Sequence, residues 1–220
     1  MRQNKYQIIF ATGNKGKIRE IKEIVAAGRN AENIEVLSMR EADVEADPDE
    51  NGADFEDNAI IKAKAVYDLL STRPVPENTT RIVMSDDSGL VIDALDGAPG
   101  VHSARYMGYD TDYRLRMEHI LNLLKDVPDE KRSARFVAAV AAVLPNGETR
   151  VVRGAMEGRI GHSIAGENGF GYDPFFYLPQ YKKTSAEITP EEKNAISHRG
   201  MAFRLLAGYL DGQTQEQMPG

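Results

Sequence analysis

The sequence predicts an α/β protein built around a mixed β-sheet, and two observations support this fold class. The stretch "IIFATGNKGKIREIKEI" (8–24) passes from an apolar, strand-like run through a glycine turn into a segment with helical spacing of its apolar residues. Two other strand-like runs flank "PNGE" (145–148), and Asn-Gly between such runs is the strongest short-range hairpin signal. Part of the sheet is therefore antiparallel.

In the first half of the chain, hydrophobic spacing predicts each element in turn. Residues 6–11 and 34–38 predict strands, residues 18–25 a helix, and the acidic stretch 41–52 a loop. Apolar residues at helical spacing predict a helix from Phe55 to Leu70, which ends before the proline-containing loop 71–80. "RIVMS" (81–85) predicts a strand, "DDSG" (86–89) a turn, and "LVIDAL" (90–95) renewed extended structure.

The second half continues the alternation. Residues 111–128 predict a helix closed by Pro128, and residues 134–144 and 149–160 predict the two hairpin strands. Thr189, Pro190 and Glu192 form a capping box that begins the last helix. We expect residues 1–212 to form a single domain and residues 213–220 a polar C-terminal tail.

Composition limits the classes of function. The formal net charge of −7 and the pI near 5.2 disfavour broad binding to nucleic acid or to an anionic membrane, because both depend on a positive field. The 220 residues include no cysteine, so a metal would bind to oxygen or histidine. No signal-peptide pattern and no membrane-spanning apolar run is present, and we expect a cytoplasmic protein.

The opening glycine turn is the first candidate site. A glycine turn before a helix presents backbone N–H groups and the positive end of the helix dipole, which suits phosphate, and Lys15 and Lys17 add positive charge. The spacing is not that of a P-loop. The alternative is an ordinary strand-to-helix turn with solvated lysines.

The second candidate is "SDDSG" (85–89). Two adjacent carboxylates, Asp86 and Asp87, at the end of an apolar strand are the oxygen ligands that Mg²⁺ requires. Asp47, Asp49 and Glu50 are further possible ligands. The alternative is an Asx turn followed by glycine, with the acidic loop only solvated.

Two more segments are candidates for binding a flat ligand. "GENGFGYDPFF" (166–176) allows close backbone approach beside an aromatic ring, although Phe175 and Phe176 are expected in the core. In "EEKNAISHRG" (191–200), Lys193 and His198 on one unbroken helix would point about 140° apart, so they meet different parts of a ligand or the helix breaks between Ser197 and Gly200. The alternatives are a solvated lysine and a core histidine.

Together, "FATGNKGKIREI", "SDDSGLVIDALDGAPGVHSARY", "GFGYDPFF" and "EEKNAISHRG" resemble the inosine triphosphate pyrophosphatase family over nearly the whole chain. The resemblance implies an elongated, two-lobed α/β fold around a mixed, twisted sheet flanked by helices, and a homodimer. It also implies a Mg²⁺-dependent enzyme that hydrolyses ITP, dITP and XTP to the monophosphate and pyrophosphate.

The resemblance further implies roles for individual residues. Asp87 matches the proton acceptor and a metal ligand, and Glu50 matches the second metal carboxylate. The positions that match substrate-binding residues are Thr12, Gly13, Asn14, Lys15, Gly16, Lys17, Lys62, Ser88, Phe170, Gly171, Tyr172, Asp173, Lys193, His198 and Arg199. Whether Asp86 or Asp87 takes the proton stays open at this point, because adjacent carboxylates on one metal titrate as a coupled group.

Two other functions compete with this one. A nucleotide-binding sensor without turnover would lack a metal carboxylate, whereas Glu50, Asp86 and Asp87 are all present. A phosphomonoesterase with an aspartyl nucleophile often shows D-x-D spacing, which "SDDSG" lacks. The loop 71–81 is longer than the resemblance requires, and we expect it to alter a surface rather than the site.

Overall fold

The computed structural model describes residues 5–28 and 31–210 and contains one seven-stranded mixed sheet. The strands are β1 (Lys5–Phe10), β2 (Ile34–Ser38), β3 (Thr79–Ile92), β4 (Ser133–Val143), β5 (Thr149–Ile160), β6 (Phe176–Leu178) and β7 (Lys183–Thr184). The sheet order is β2-β1-β3-β4-β5-β6-β7. β1 pairs in parallel with both β2 and β3, whereas β6 pairs antiparallel with β5 and β7. The predicted α/β class with a mixed sheet is confirmed.

Five α-helices accompany the strands in the described part of the chain. They are α1 (Lys15–Ala26), α2 (Phe55–Leu70), α3 (Tyr113–Leu123), α4 (Pro190–Ile196) and α5 (His198–Leu210). None of the helices among the described residues is both long and apolar enough to cross a membrane. The predicted tail 213–220 lies outside the described residues.

The chain divides into two compact units. The first consists of the described residues within Met1–Asp87, Ala139–Gly154 and Arg199–Gly220, and the second of Ser88–Ala138 and Ala155–His198. Each unit has its own apolar core. The core of the second unit contains Leu90, Ile120, Phe136, Phe175 and Phe176, which confirms that the last two phenylalanines are core residues. The prediction of a single domain over 1–212 stays a prediction.

In the first unit, the pleat of the strands separates two apolar clusters. Ile82 and Met84 of β3 pack in a cluster with Ile21 of α1 and Phe203 of α5. Val83, the residue between them, packs in a different cluster with Val66 of α2. Because successive side chains of a strand point to opposite faces, residues 82, 84 and 86 of β3 face α1 and α5, and residues 83, 85 and 87 face α2.

The hairpin predicted at "PNGE" is present as a tight turn between β4 and β5, which are neighbours in the sheet. The backbone N–H of Leu144 donates to the carbonyl of Glu148 at 2.8 Å. Gly147 adopts a φ of 82°, a backbone conformation that residues other than glycine rarely adopt. The turn residues therefore set this connection locally, as the sequence predicts.

The prediction of a turn at "DDSG" is wrong. Residues 86–89 continue β3, which runs without a break from Thr79 to Ile92. Asp86 and Asp87 therefore lie in the middle of a strand and not at its end. Aspartate and glycine have low strand propensity, but tertiary contacts override such preferences, and here both carboxylates are buried against basic side chains.

The last predicted helix is two helices. Thr189 caps α4 through the expected capping box. Its side chain accepts from the N–H of Glu192, and the Glu192 side chain accepts from the N–H of Thr189. α4 ends at Ser197, which has extended backbone angles (φ −66°, ψ 149°), and α5 begins at His198. The break falls inside the predicted interval, at Ser197.

Candidate active site

The opening turn is closed by an asparagine cap. Asn14 precedes α1, and its Oδ1 accepts from the backbone N–H groups of Gly16 and Lys17 at 2.8 and 3.2 Å. Two of the N–H groups that the sequence assigned to an anion are thus already satisfied within the turn. Gly13 has open space where a Cβ would lie, so packing does not require glycine there. The open space agrees with the predicted approach of a ligand.

The two lysines of the turn have different surroundings. Lys15 is exposed, whereas the Lys17 side chain is 14% exposed and its Nζ lies 3.0 Å from Oδ1 of Asp86. Burial lowers the pKa of Lys17, and the charge of Asp86 opposes that effect. Lys17 therefore connects the opening turn to the central strand.

Asp86 is fully buried on the face of β3 that looks toward α1 and α5. Its Oδ2 accepts from Nε of Arg199 at 2.8 Å, and Lys17 approaches its other oxygen. Burial by itself would raise the pKa of Asp86, but the positive charges of Lys17 and Arg199 hold it far below the usual range. Asp86 is therefore ionised throughout the physiological pH range.

Arg199 is itself held between two carboxylates. Besides its contact with Asp86, its Nη1 donates to Oε2 of Glu20 at 2.6 Å, and Glu20 is buried. Burial would lower the pKa of Arg199, but Asp86 and Glu20 raise it. The prediction that Arg199 binds substrate stays a prediction; the structure shows its guanidinium bound to two acids of the first unit.

Asp87 lies on the opposite face of β3, toward α2. Its Oδ1 accepts from Nζ of Lys62 at 3.1 Å and its Oδ2 from Nδ2 of Asn58 at 3.3 Å. Burial raises the pKa of Asp87, although Lys62 and Lys17 oppose that shift. The two adjacent aspartates thus have pKa values shifted in opposite directions, and Asp87 is the stronger base.

Glu50 and Asp87, the predicted metal ligands, converge on one cation. Nζ of Lys62 lies 3.0 Å from Oε2 of Glu50 and 3.1 Å from Oδ1 of Asp87. Burial alone would lower the pKa of Lys62, but Asp87, Asp86 and Glu50 together raise it.

Two carboxylates that share a positive charge are a donor set that fits Mg²⁺, which typically takes one or two protein carboxylates and completes its shell with water and phosphate oxygens. Among residues 5–28 and 31–210, no three His, Asp or Glu side chains form a metal-holding group. A metal here would therefore depend on these two carboxylates and on ligands from outside the protein.

The second unit brings together part of the predicted substrate-binding set. Nζ of Lys193 lies 2.7 Å from Oδ2 of Asp173 and 5.2 Å from the ring centroid of Phe170, and Ser185 donates to the other Asp173 oxygen at 2.8 Å. The N–H of Phe170 also donates to Asp173. Lys193 is buried, so the alternative of a solvated lysine is wrong.

Close packing explains one glycine of this loop. A Cβ on Gly169, whose φ is 76°, would lie 2.1 Å from Oδ2 of Asp173. Glycine at 169 therefore leaves Asp173 room to receive Lys193 and the Phe170 amide. Gly171 also has positive φ, at 65°.

The remaining predicted residues of the second unit have structural partners. Tyr172 is buried and donates through its hydroxyl to the carbonyl of Ser103 at 3.0 Å. His198 is buried and stacks on Phe136, with ring centroids 5.3 Å apart. Ser88 follows Asp87 in β3 and is partly buried.

Sequence reasoning missed three polar residues that hold these clusters together, Glu20, Asn58 and Ser185. A usable signal existed for two of them. Glu20 lies one turn before Ile24 on the apolar face of α1, and Asn58 lies between Phe55 and Ala59 on the buried face of α2. A polar residue on an apolar helix face indicates a buried partner. For Ser185, no such periodic context exists.

The described part of the chain is thus an α/β protein in which strand β3 carries two adjacent carboxylates, and each of them is paired with basic side chains. The chain belongs to the Ham1 family, whose model matches residues 8–209.

Named relatives and solved structures cover nearly all of the chain. It is 43% identical to a dITP/XTP pyrophosphatase of Clostridium perfringens over 94% of this chain and 98% of the relative, and 44% identical to one of Exiguobacterium sibiricum over 93% and 96%. The Ham1 protein of Staphylococcus aureus superposes with a TM-score of 0.78 at 38% identity, covering 94% of this chain and all of that one.

Proposed function

We propose that this protein hydrolyses the non-standard purine nucleoside triphosphates ITP, dITP and XTP to the nucleoside monophosphate and pyrophosphate. The observation that carries the proposal is the pair Asp86–Asp87, in which one carboxylate is locked ionised by Lys17 and Arg199 and the other remains the stronger base. The names and identities of the relatives support the substrate class.

Asp87 is the proposed proton acceptor. A general base works best when its pKa lies toward the working pH, and burial moves the pKa of Asp87 in that direction. Asp86 is unsuited to the task because its pKa is lowered and its oxygens are occupied by Lys17 and Arg199. Of the two aspartates that the sequence left open, we therefore propose Asp87.

Lys17, Lys62 and the start of α1 are proposed to hold the triphosphate. Phosphoryl transfer needs placement and charge stabilisation more than covalent help from the protein. Both lysines carry charge beside carboxylates and lie next to the turn or the helix that would receive the phosphates. They would orient the leaving pyrophosphate and stabilise its charge.

Glu50 and Asp87 are proposed to hold Mg²⁺, whose chemistry is to neutralise phosphate oxygens and to acidify water. The Lys62 ammonium already shows that both carboxylates can serve one positive charge. In the bound state Lys62 would turn toward phosphate oxygen, which is a second anionic partner for it.

Selectivity is proposed to depend on hydrogen bonds to the C6 oxygen that ITP and XTP share and that ATP replaces with an amine. Phe170 is proposed as the stacking ring, with Lys193, His198, Arg199 and the nearby backbone as candidate donors. A site committed to such hydrogen bonds can discriminate by roughly 10⁴-fold.

We also propose that the protein is cytoplasmic, which the localisation of a fluorescent fusion would test.

The decisive experiment is product analysis by anion-exchange chromatography with Mg²⁺ and, separately, ITP, XTP, GTP and ATP. We expect monophosphate and pyrophosphate from ITP and XTP, and at least a 10³-fold lower rate for Asp87→Asn. Asp68→Asn, an exposed change in the same unit, is the matched control and should retain full activity. Diphosphate with orthophosphate as products would contradict the reaction.

The alternative function is a nucleotide sensor without turnover. It predicts tight ITP binding with no product and equal binding by wild type and Asp87→Asn. The presence of a base and of a paired second carboxylate in one unit favours the enzyme.

A further inference from the structure

Asn58 is a buried amide that contacts both segments carrying the predicted metal carboxylates. It lies on α2 with no exposed surface. Its Nδ2 donates to Oδ2 of Asp87 at 3.3 Å, and its Oδ1 accepts from the backbone N–H of Gly52 at 2.9 Å. One side chain thus joins the central strand to the loop that contains Glu50.

The orientation of the amide follows from its partners. A backbone N–H is only a donor, so the atom facing Gly52 must be the oxygen, and the NH₂ group must face Asp87. That arrangement leaves each Asp87 oxygen with its own donor, because Lys62 contacts Oδ1 and Asn58 contacts Oδ2. The carboxylate is therefore held against rotation.

The contact with Gly52 is equally close. A Cβ on Gly52 would lie 2.5 Å from Cβ of Asp57 and 2.8 Å from Oδ1 of Asn58, so only glycine lets the loop approach α2 here. Glu50 lies two residues before Gly52. The position of the Glu50 backbone is thus set from the same amide that orients Asp87.

Asn58 and Lys62 of α2 both donate to the Asp87 carboxylate. They are four residues apart, which places them on the same helix face. Lys62 contacts both carboxylates by charge, whereas Asn58 orients the Asp87 carboxylate and holds the backbone at Gly52 without adding charge. Removing the lysine would leave the amide in place, and the reverse is also true, so the two contributions can be separated.

We propose that Asn58 is a positioning residue that holds Asp87 and the Glu50 loop at the spacing a divalent cation requires, an inference that rests on the proposed function. Residues that orient metal ligands through hydrogen bonds typically change metal affinity or activity 10- to 100-fold when they are removed.

The test compares two substitutions in the full-length protein. Asn58→Leu removes both contacts at similar volume, and Asn58→Asp retains an acceptor for Gly52 but loses the donor to Asp87. Asn122→Asp, an exposed change on α3, is the matched control for the added charge. Circular dichroism first establishes that each variant is folded.

Two readouts do not depend on turnover. Mn²⁺ binding, followed by electron paramagnetic resonance, should weaken at least 10-fold in Asn58→Leu. Hydrogen exchange of peptides covering 48–54 should accelerate in Asn58→Leu and stay near the wild-type rate in Asn58→Asp. With ITP, kcat should fall at least 10-fold in both variants while KM changes less than threefold. A role only in packing would not produce this split between the two variants.

The same measurements can overturn the proposed role of Asn58. Wild-type Mn²⁺ affinity and unchanged exchange in a folded Asn58→Leu would overturn the proposal, as would failure of both variants to fold, which would assign Asn58 to the core alone. If wild type releases no pyrophosphate while the Mn²⁺ and exchange results hold, the proposed function fails and the positioning role stands.

Discussion

Asp86 and Asp87 are neighbours in sequence with opposite surroundings, because adjacent residues of a strand face opposite sides of the sheet. Asp86 looks toward α1 and α5, where Lys17 and Arg199 approach it, and Asp87 looks toward Lys62 of α2. Their different pKa shifts follow from that geometry. Because these residues lie in a strand and not in the predicted turn, Asp86 is available for a structural role on one face and Asp87 for the proposed chemical role on the other.

The ion pairs of Asp86 predict a specific dependence of stability on pH. Because its folded-state pKa lies far below 3.8, Asp86 stabilises the fold fully above that value, and the contribution is lost as pH falls below it. Asp86→Asn should lower the free energy of unfolding by ~3–5 kcal/mol at pH 7, since it leaves buried cations without their partner. Urea denaturation from pH 7 to pH 2 should show the difference from wild type shrinking at acid pH. A difference that is independent of pH would contradict the assignment.

Lys62 predicts a coupling between stability and magnesium. In Lys62→Met, Glu50 and Asp87 lose the cation they share, so we expect the free energy of unfolding to fall by ~3 kcal/mol without Mg²⁺. Adding Mg²⁺ should stabilise this variant more than it stabilises wild type. Thermal unfolding with and without Mg²⁺ measures the effect, and Lys64→Met, exposed on the same helix, is the control. An equal Mg²⁺ response in the two proteins would count against a metal at these carboxylates.

At the scale of elements, the sequence predicted what local patterns determine. α2 spans the predicted residues 55–70, β2 the predicted residues 34–38, and the hairpin turn uses its predicted glycine. The turn at 86–89 was predicted wrongly because the contacts that keep it extended come from distant residues such as Arg199. The break at Ser197 also depends on more than spacing, since the helical pattern continues through it.

The residues of the candidate site also differ in whether local sequence or distant contacts determine their roles. Sequence motifs located Lys17, Glu50, Lys62 and Asp87. The structure joins Glu50 and Asp87 through Lys62, and it pairs Lys17 with the neighbouring Asp86. Motifs could not show which aspartate is locked and which remains basic, because that depends on the partners of each. Buried single residues that pair across the fold, such as Glu20, carry no motif of their own.

The helix that carries Lys62 begins at a defined cap, which predicts a local effect on stability. Oδ1 of Asp54 accepts from the N–H of Asp57 at 2.8 Å at the start of α2. Asp54→Ala should lower the free energy of unfolding by about 1 kcal/mol, whereas Asp54→Asn, which keeps the acceptor, should change it by a few tenths. Urea denaturation of the three proteins at one pH measures this. Equal losses in both variants would show that charge, and not the cap, supplies the stabilisation.

At the scale of the whole molecule, the described residues form two apolar cores, and the chain combines an acidic balance with local basic groups. The net charge is −7, yet Lys17, Lys62 and Arg199 are all turned inward onto acids. Each of these three cations is thus paired with a carboxylate of the first unit.

The resemblance to the pyrophosphatase family predicts a homodimer. The chain has a mass of 24.3 kDa, so light scattering coupled to size-exclusion chromatography should give about twice that value over a range of protein concentrations. Several large apolar side chains of the second unit are exposed in the single chain, including Met107, Tyr109 and Leu115. The companion measurement is the same light-scattering experiment on a folded Leu115→Asp variant. A single-chain mass at all concentrations would contradict the prediction.

Arg199 has a consequence for how the protein is made. It lies 113 residues after Asp86 and 179 residues after Glu20, the two acids that its guanidinium joins. The chain is synthesised from its N-terminus, so β1, α1, α2 and β3 all emerge from the ribosome long before this arginine. Until it arrives, Asp86 and Glu20 face burial without their shared counter-charge, and the first unit remains incomplete. A chain that ends before residue 199 lacks this counter-charge, and incompletely folded chains of this kind are prone to aggregation.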